Sequence, residues 1–321
     1  MVFLEEGDLA IINKDFFQIY NKKLEKVKRE IHNYSNLNEF NSKGNFKHFM
    51  QKEIYHQPIS LDDTVLNFLE KKSGKVYLPN LKINFNKISN INLIACGTAF
   101  HACMIAKYWL ESFSNIPVYA DIGSEYRYRE NILNKNTIGL VISQSGETMD
   151  TLECLKKLKK YKVYSGSIVN VFSSSIARES NFVLPTLAGP EIGVASTKAF
   201  TSQLIVLALF ARYIQQEKNI KIKNSNEIFN SLFNIHKLVK KVLLQDKKIN
   251  EIAKILKNSK SIFYIGRGTM YPLALEGALK LKEITYKHCE GYAAGELKHG
   301  PLALIEKNIP VCMAHMIKIF L

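Results

Sequence analysis

From about residue 88 onward, apolar runs of strand length alternate with segments long enough to form helices. These runs are mostly apolar and do not alternate strictly with polar residues, which is typical of parallel strands that are covered by helices on both faces. The sequence therefore predicts an α/β fold with a parallel sheet and right-handed crossovers. The predicted strands are INLIA (91–95), PVYADI (117–122), TIGLVI (137–142), VNVF (169–172) and FVLPT (182–186). The predicted helices include HACMIAKYWLESF, TMDTLECLKKLKK and TSQLIVLALFARYI.

A short internal repeat predicts that this fold occurs twice. The motif Ile-Ala-Cys-Gly-Thr at 94–98 is echoed by Ile-Gly-Arg-Gly-Thr at 265–269. Each copy follows an apolar run and precedes a helix-like segment, as expected for two related domains. We predict the first domain at 81–220 and the second at 245–321. The second copy leaves room for about half a domain, so we expect an incomplete second domain that ends in a strand at 309–315.

The residues before the first domain predict a hairpin and a connection. In MVFLEEGDLAIINKD, two apolar runs flank Glu-Glu-Gly-Asp, which is a turn signal. We predict a hairpin within residues 1–20. Residues 21–80 are predicted as a linker or a helical connection, polar and rich in Asn and Lys over 21–60, with HFMQKEIYHQP at 48–58 as the helical stretch in the second case.

The charge and the cysteines argue against several classes of function. The net charge of +15 comes from 38 Lys and only 6 Arg among the basic residues, whereas nucleic-acid sites tend to cluster Arg and aromatic residues. The nearest basic cluster, KKLKKYK at 156–162, is predicted as the solvated face of a helix, because Leu152, Leu155 and Leu158 give that helix an apolar side. Five cysteines without a C-x-x-C pair argue against a disulfide framework and against a zinc site.

The chain also lacks the marks of membrane and secreted proteins. No apolar run reaches the length of a membrane span, and the first residues place acids where a secretory signal has bases. We therefore expect a cytoplasmic protein that has neither a membrane nor a nucleic acid as partner.

The stretch SQSGETMDTL, which follows the predicted strand at 137–142, combines hydrogen-bond donors with a glycine. Ligands of open parallel sheets lie beyond the carboxyl ends of the strands, and a helix N-terminus attracts anions. Gly146 permits close approach of the backbone. The neutral donors are Ser143, Gln144, Ser145 and Thr148. Without a lysine or a magnesium ligand, this loop is predicted to hold a monophosphate; the alternative is an ordinary capped helix after a turn.

Two other loops offer polar groups. In ACGTA, a strand-to-helix turn, Thr98 is placed to bond a sugar hydroxyl or a phosphate oxygen, although a tight turn with a helix cap explains the same residues. The segment GPEIGVASTKAFTSQ at 189–203 places Glu191 and Ser196 in a glycine-containing loop before an apolar helix. This loop is predicted as a wall of the site or, alternatively, as a loop that only caps the helix.

The segment YPLALEGALKLKEITYKH at 271–288 predicts a helix with an acid–base face. Glu276, Lys280 and Glu283 are spaced by four and three residues and therefore lie on one side of the helix. Carboxylates held close to an amine suit proton movement between adjacent carbons, as aldose–ketose interconversion requires. Ordinary salt bridges are the commoner explanation of this spacing. Just beyond, His299 lies in a Gly-flanked loop, either as a proton donor to a sugar ring oxygen or as an exposed surface residue.

Five motifs, in this order along the chain, resemble the isomerase half of the glucosamine-6-phosphate synthase family, the isomerising glutamine–fructose-6-phosphate aminotransferases. They are ACGTAFHA, SQSGETMDTL, EIGVASTKAFT, GRGTMYPLALEGALKLKEI and GYAAGELKHGPLALI. The resemblance spans residues 1 to about 311 and implies two sugar-isomerase (SIS) domains, each a parallel sheet flanked by helices, the second truncated. The hairpin at 1–20 resembles the last hairpin of the glutaminase domain. The implied activity, in amino-sugar biosynthesis, converts fructose 6-phosphate toward glucosamine 6-phosphate without a metal or an organic cofactor.

The resemblance also implies roles for individual residues. Glu283 would move the proton between sugar carbons one and two. His299 would open the fructose ring in the neighbouring subunit's site of a homodimer. Lys280, also catalytic, and Glu276 would support the site electrostatically. The residues implied in phosphate binding are Ser143, Gln144, Ser145 and Thr148, and those implied along the sugar are Cys96, Gly97, Thr98, Val194 and Ser196.

The sequence departs from the family in three respects. It does not contain the glutaminase domain with its nucleophilic cysteine, so release of ammonia from glutamine is not expected. It does not contain the tail lysine that forms a Schiff base with the ketose. Ala99 stands where the family usually has Ser. These departures leave two alternatives to the enzyme: a sugar-phosphate-binding module without catalysis, and a non-functional gene fragment.

Overall fold

The structure is a computed structural model, and it describes residue 2 and residues 4–31, 42–78 and 81–315. The chain forms two compact units, Met1–Asn45 and Phe46–Leu321. None of the helices in the described ranges combines the length and the apolar character that crossing a bilayer requires.

The first unit contains a three-stranded antiparallel sheet. Its strands are β1 (Leu9–Ile12), β2 (Phe17–Tyr20) and β3 (Lys26–Val27). A hairpin is present within residues 1–20, as predicted, but its turn was predicted wrongly, because the paired strands are joined through Asn13–Phe16 and not through Glu5–Asp8. Glu5–Asp8 does form a local turn, but Val2, which lies upstream of this turn, bridges to Ile31.

The second unit is an α/β structure with two parallel sheets. The first sheet contains β4 (Asn90–Ala95), β5 (Val118–Ile122), β6 (Thr137–Ser143), β7 (Tyr164–Val169) and β8 (Phe182–Pro185). The second contains β9 (Ser261–Gly266), β10 (His288–Ala293) and β11 (Val311–Ala314). The α-helices of the described residues are α1 (Phe49–Phe68), α2 (Gly97–Ser114), α3 (Gly123–Tyr126), α4 (Met149–Lys160), α5 (Ser175–Glu179), α6 (Lys198–Glu217), α7 (Ser225–Ser231), α8 (Ile235–Leu243), α9 (Asp246–Leu256) and α10 (Met270–Thr285). The predicted fold class is confirmed, with a second sheet that is smaller than the first.

The strand order of the first sheet, β5-β4-β6-β7-β8, positions the site. The chain passes from β4 to β5 on one side and then crosses back to β6 on the other. An order of this kind leaves a crevice beyond the carboxyl ends of the two strands at the reversal, where ligands of open sheets bind. The register places Ala95 of β4 beside Ile142 of β6. The loops that follow these strands, which carry ACGT and SQSGET, are therefore neighbours.

Helices cover both faces of the first sheet, as the sequence predicts. Leu93 and Leu140 belong to the core formed with α1, α2 and α6, whereas Ile94 and Val141 belong to the core formed with α4 and α5. Each such side chain contributes about 1.5–3 kcal/mol when it is buried. A one-residue slip would exchange the two sets, so burial fixes the strand register. The predicted solvated face of α4 is confirmed as well, because its leucines are buried and most of its lysines are exposed.

The position of β7 was predicted wrongly. Sequence reasoning placed a strand at 169–172, but the strand is Tyr164–Val169. The centre of this strand, Ser-Gly-Ser, lacks the large apolar side chains that indicate a buried strand. Gly166 pairs with Phe182 of β8, and a Cβ on Gly166 would lie 2.2 Å from the Phe182 ring. The aromatic ring therefore occupies the space that a side chain in the middle of β7 would need.

Helix α1 extends the helical stretch predicted at 48–58 as far as Phe68, although Pro58 lies inside it. A proline has no N–H to donate to the carbonyl four residues earlier. Here the Gln57 Nε2 donates to the free carbonyl of Ile54 at 3.1 Å instead. The helix continues, and it carries Glu53 to the site described below.

The second sheet has the order β10-β9-β11, which matches β5-β4-β6 of the first sheet. The internal repeat is also visible in the backbone, since Gly97 and Gly268 occupy equivalent positions with φ of +56° and +55°. The predicted helix at 271–288 ends earlier than expected, because Tyr286 adopts a left-handed conformation and β10 begins at His288. The strand predicted at 309–315 is present as β11.

Candidate active site

The loop after β6, which we call the cradle (residues 143–148), is a compact turn around Gly146. The φ of Gly146 is +67°, and a Cβ there would lie 1.9 Å from the Ser174 Oγ, so only glycine fits. The Ser143 Oγ accepts the Gly146 N–H at 3.0 Å and shares a 2.8 Å hydrogen bond with the Thr148 Oγ1. These contacts hold the hydroxyls at the N-terminus of α4.

The protons that remain available on these hydroxyls can be counted. Ser143 and Thr148 share one hydrogen bond, so one of their two protons is used and one stays free. The Ser145 Oγ accepts the Glu147 N–H at 3.2 Å, which leaves its own proton free, and Ser145 is exposed. The cradle can therefore donate two hydroxyl hydrogen bonds to a ligand. Free donors at the start of a helix suit an anion such as phosphate.

Helix α5 supports the cradle. The Ile176 N–H donates to the Gly146 carbonyl at 3.0 Å, and the Ser175 N–H donates to the Glu147 Oε1 at 2.7 Å. The Glu147 carboxylate is thereby bound by backbone on the far side of the turn. Its negative charge is partly compensated there, which reduces its repulsion of an anion in the cradle.

Asn170, which follows β7, ties the cradle to the loop after β8. Its Nδ2 donates to the Gly189 carbonyl at 3.1 Å, and its Oδ1 accepts the Gly189 N–H at 3.0 Å. Gln144 Nε2 donates to the same carbonyl at 3.4 Å. The other amide atom, Gln144 Oε1, is buried and has no hydrogen-bond partner among the described residues. It is an acceptor that a ligand hydroxyl could satisfy.

Glu191 organises the loop before α6. Its Oε2 accepts the Ser196 hydroxyl at 2.8 Å, and its Oε1 accepts the Thr197 N–H at 2.7 Å and the Ala199 N–H at 3.3 Å. The carboxylate thus caps the first turn of α6 and orients Ser196. Val194, in the same loop, is 98% exposed, so its side chain is open to a ligand.

A second carboxylate reaches this loop from α1. Glu53, which is only 5% exposed, accepts the Ile192 N–H at 2.5 Å and the Gly193 N–H at 3.0 Å through its Oε1. Lys198 is also buried; burial lowers its pKa, and the charges of Glu53 and Glu191 oppose that effect. Glu53 and Lys198 are buried and Glu191 is half-buried, and both carboxylates accept backbone N–H groups of this loop.

We expect Glu53→Gln to destabilise the protein by about 1–3 kcal/mol, because the amide loses charge-assisted bonds to two backbone N–H groups and removes a counter-charge of buried Lys198. The measurement is a urea titration followed by circular dichroism. Glu251→Gln, an exposed carboxylate on α9, is the matched control. A Glu53→Gln protein as stable as the control would show that the buried carboxylate does not hold the loop.

A cluster of side chains joins α2 of the first sheet to α10 of the second. Glu276 is buried; its Oε1 accepts the Thr98 hydroxyl at 2.9 Å, and its Oε2 lies 2.7 Å from the His101 Nδ1. The Lys280 Nζ donates to the Glu283 Oε2 at 2.7 Å and to the Thr98 Oγ1 at 3.1 Å. Lys280 also lies 3.4 Å from the Glu276 Oε1. The structure therefore brings four predicted residues together and adds His101.

The two carboxylates of this cluster differ in access. The Glu283 side chain is 32% exposed, whereas that of Glu276 is 6% exposed. Glu283 is therefore the carboxylate that can reach a ligand, while Glu276 is engaged in internal hydrogen bonds. Thr98 donates its proton to Glu276, and Ser196 donates its proton to Glu191. Toward a ligand, both hydroxyls act as acceptors, which suits the hydroxyl groups of a sugar.

Three other predicted residues are placed differently. His299 follows a short 3₁₀ turn and is exposed, and among the described residues no hydrogen bond or ion pair links its side chain to the cluster. Cys96 occupies the N-cap position of α2, with its Sγ 3.8 Å from the Thr151 Oγ1. Gly97 begins α2 with its positive φ. The described part of the chain contains no group of three His, Cys, Asp or Glu residues arranged to hold a metal ion.

Sequence reasoning missed three residues that shape the site. His101 follows Thr98 by three residues and therefore shares its helix face, a spacing that could have drawn attention to it. Asn170 directly follows a strand, but that strand was misplaced. No sequence pattern around Glu53 indicated a role in the site, because its partners are distant in the sequence.

The chain has clear relatives. A family profile described as SIS domain matches residues 84–213 and 255–314. An isomerizing glutamine–fructose-6-phosphate aminotransferase of Brucella abortus biovar 1 is 46% identical over 310 residues, which are 96% of this chain and 51% of the relative. The corresponding protein of Bradyrhizobium diazoefficiens is 46% identical over 311 residues, 96% of this chain and 51% of its own length. The chain thus spans about half the length of the curated relatives it matches.

Solved structures show the same fold. The C-terminal domain of glucosamine-fructose-6-phosphate aminotransferase from Francisella tularensis superimposes with a TM-score of 0.81 at 46% identity, over 85% of this chain and 77% of that one. A glucosamine-6-phosphate deaminase from Thermotoga maritima gives a TM-score of 0.64 at 24% identity, over 83% of this chain and 76% of that one. The second likeness concerns the fold alone.

Proposed function

The chain belongs to the SIS-domain family, and on that premise we propose that it is the isomerase portion of a glutamine–fructose-6-phosphate aminotransferase. It would convert fructose 6-phosphate toward glucosamine 6-phosphate. We assign the first SIS domain to 81–220 and the second to 245–321. The observation that carries the proposal is the pairing of Glu283 with Lys280 in a cluster that also holds Thr98, at the strand ends where the cradle lies.

The phosphate group is assigned to the cradle. The free hydroxyl protons of Ser145 and of the Ser143–Thr148 pair would donate to phosphate oxygens, together with backbone N–H groups at the start of α4. A single phosphate with its remaining oxygens in solvent matches a partly exposed loop that contains no lysine. Gln144 would contribute its unpartnered Oε1 to a sugar hydroxyl.

The sugar is assigned to the space between the cradle and the loop at 189–197. Thr98 and Ser196 would accept hydrogen bonds from sugar hydroxyls, since both have already donated their own protons. Val194 would cover an apolar face of the carbon chain, and Cys96 and Gly97 would form the wall beside Thr98. The donors would therefore serve the phosphate, and the acceptors would serve the sugar hydroxyls.

Glu283 is assigned the proton transfer. In the open-chain ketose, it would remove a proton from carbon one, and the electron pair of the broken C–H bond would form the enediolate. Returning the proton to carbon two, while the carbon-one hydroxyl proton passes to the carbon-two oxygen, gives the aldose phosphate. With ammonia first condensed at carbon two as an imine, with loss of water, the same proton movements would give glucosamine 6-phosphate. Lys280 would hold Glu283 in place and stabilise the negative charge that develops on the substrate oxygen. His299, exposed in its own chain, would open the sugar ring in the site of a neighbouring subunit of a homodimer.

Ser145→Ala is expected to weaken fructose 6-phosphate binding by about 1–3 kcal/mol, because it removes a hydroxyl donor to an anion. Thr148→Ala is expected to cost less, since the Ser143 hydroxyl then keeps its proton for the ligand, whereas Ser143→Ala also removes the acceptor of the Gly146 N–H. Isothermal titration calorimetry gives the three affinities. Ser231→Ala, on α7, is the control. Equal affinities of Ser145→Ala and wild type would contradict the assigned phosphate site.

The function is tested by combining binding and exchange. The purified chain is titrated with fructose 6-phosphate, and exchange of the carbon-one proton with deuterium is followed by proton NMR. Binding with exchange supports the isomerase. Absence of both rejects the proposal.

Binding without exchange supports a second candidate, a sugar-phosphate-binding module without catalysis. This candidate is favoured by one observation, the exposure of His299 away from the cluster in its own chain. Adding glucosamine 6-phosphate as a competing ligand would show which of the two sugar phosphates the module binds more tightly.

A further inference from the structure

We propose that His101 is a positioning residue for the acid–base helix, and this inference rests on the proposed isomerase function. Through its Nδ1, His101 would hold Glu276 in the orientation that leaves Lys280 available to Glu283. His101 does not contact Glu283 and is not proposed to touch the sugar.

The geometry around Glu276 supports this role. Its two oxygens have separate partners: Oε2 lies 2.7 Å from the His101 Nδ1, while Oε1 accepts from Thr98 at 2.9 Å and lies 3.4 Å from Lys280. The side chains of His101 and Glu276 are 14% and 6% exposed, so water cannot readily replace the histidine. A buried carboxylate oxygen that loses its donor costs about 1–3 kcal/mol or more.

Lys280 lies near two carboxylates, and this explains what the loss of His101 would change. Its Nζ lies closer to Glu283, at 2.7 Å, than to Glu276, at 3.4 Å. If the Glu276 Oε2 lost His101, the nearest remaining cation would be Lys280. Glu276 would then rotate to pair with Lys280 through both oxygens, and Lys280 would release Glu283 and Thr98. Glu283 could still accept a proton, but Lys280 would no longer hold it in place.

A packing role is the alternative explanation. The ring of His101 lies beside that of Phe100, with ring centroids 6.2 Å apart and tilted planes. It extends from α2 to Glu276 of α10. A packing role requires the volume of the ring, whereas the proposed role requires a donor at the Nδ1 position. The two roles can therefore be separated by substitution.

The test compares His101→Leu with His101→Asn. Leucine retains apolar volume but has no donor, whereas the Asn Nδ2 is attached like the His Nδ1 and can donate from the same place. For His101→Leu we expect a fall of about 10–100-fold in carbon-one proton exchange at saturating fructose 6-phosphate, because a displaced catalytic group loses rate. The dissociation constant of fructose 6-phosphate should change much less than the rate, because the phosphate donors belong to the cradle. His101→Asn should restore most of the rate.

Crystal structures of wild type and His101→Leu give a readout that does not depend on turnover. We expect Glu276 to rotate and the Lys280–Glu283 distance to lengthen beyond the present 2.7 Å. If the wild type binds sugar phosphate without exchange, the catalytic part of the proposed function fails and these structures alone decide the inference. An unmoved cluster in His101→Leu, or equal rate losses in the Leu and Asn variants, would overturn the proposal.

Discussion

Replacing Glu283 with Gln is expected to lower the rate of carbon-one proton exchange by about 10²–10⁴-fold, the usual contribution of a positioned acid–base group. The amide has nearly the same shape as the carboxylate but cannot accept the proton. The Lys280 ammonium remains close to the Gln oxygen, so the helix should keep its fold. Proton NMR in deuterium oxide measures the exchange, and calorimetry measures the affinity for fructose 6-phosphate.

The affinity of Glu283→Gln for fructose 6-phosphate shows whether a lowered exchange rate reflects lost chemistry or lost binding. We expect the dissociation constant of Glu283→Gln to stay close to that of wild type, because the phosphate donors belong to the cradle. Glu251→Gln on α9 is the control for loss of one carboxylate and should exchange at the wild-type rate. If Glu283→Gln retained most of the exchange activity, another base would have to be sought, and the assignment of the acid–base helix would be rejected.

Replacing Gly146 with Ala is expected to have the largest effect on the cradle. The φ of +67° costs an alanine about 1–2 kcal/mol, and a Cβ would lie 1.9 Å from the Ser174 Oγ. Relief of that overlap adds about 1–3 kcal/mol. The loop should shift, so that fructose 6-phosphate binding falls by about 100-fold or more through loss of at least two hydroxyl donors. Thermal unfolding and calorimetry measure the two effects.

Two comparisons separate the causes of the Gly146→Ala effect. Gly268→Ala has a similar φ, +55°, with no atom within 4 Å of the added Cβ, so it should lose only the conformational part of the stability. Adding Ser174→Gly to Gly146→Ala removes the overlap and should recover part of the loss. A Gly146→Ala protein with stability equal to Gly268→Ala and with normal binding would show that the cradle does not need this turn.

Much of the fold could be predicted because its signals are local. The runs at 91–95 and 137–142 are mostly apolar without alternating, and burial on both faces favours that pattern. The misplaced strand shows the limit of this reasoning. Tyr164–Val169 contains a Ser-Gly-Ser centre, and the ring of Phe182 on the neighbouring strand fills the space above Gly166. That ring belongs to another segment, so the sequence of β7 does not display it.

The candidate site also has one part that the sequence predicts and another that depends on packing. Glu276, Lys280 and Glu283 share a helix face, and their spacing in the sequence predicts this. Which oxygen binds which partner depends on α2 lying against α10, and this packing adds His101 to the cluster. Glu53 reaches the loop at 189–197 only because α1 packs near it, although nothing in the sequence links the two segments.

By itself the sequence determined the alternating parallel architecture, its repeat, and the chemistry of the residues at the strand ends. These features follow from the burial pattern, the glycine positions and the helical spacing, which are all local in the sequence. Only the tertiary structure decided which hydroxyls still have protons to donate and which carboxylate stays accessible. Those properties depend on hydrogen bonds such as Thr98 to Glu276 and Ile192 to Glu53, whose partners are brought together by packing between helices and loops that are far apart along the chain.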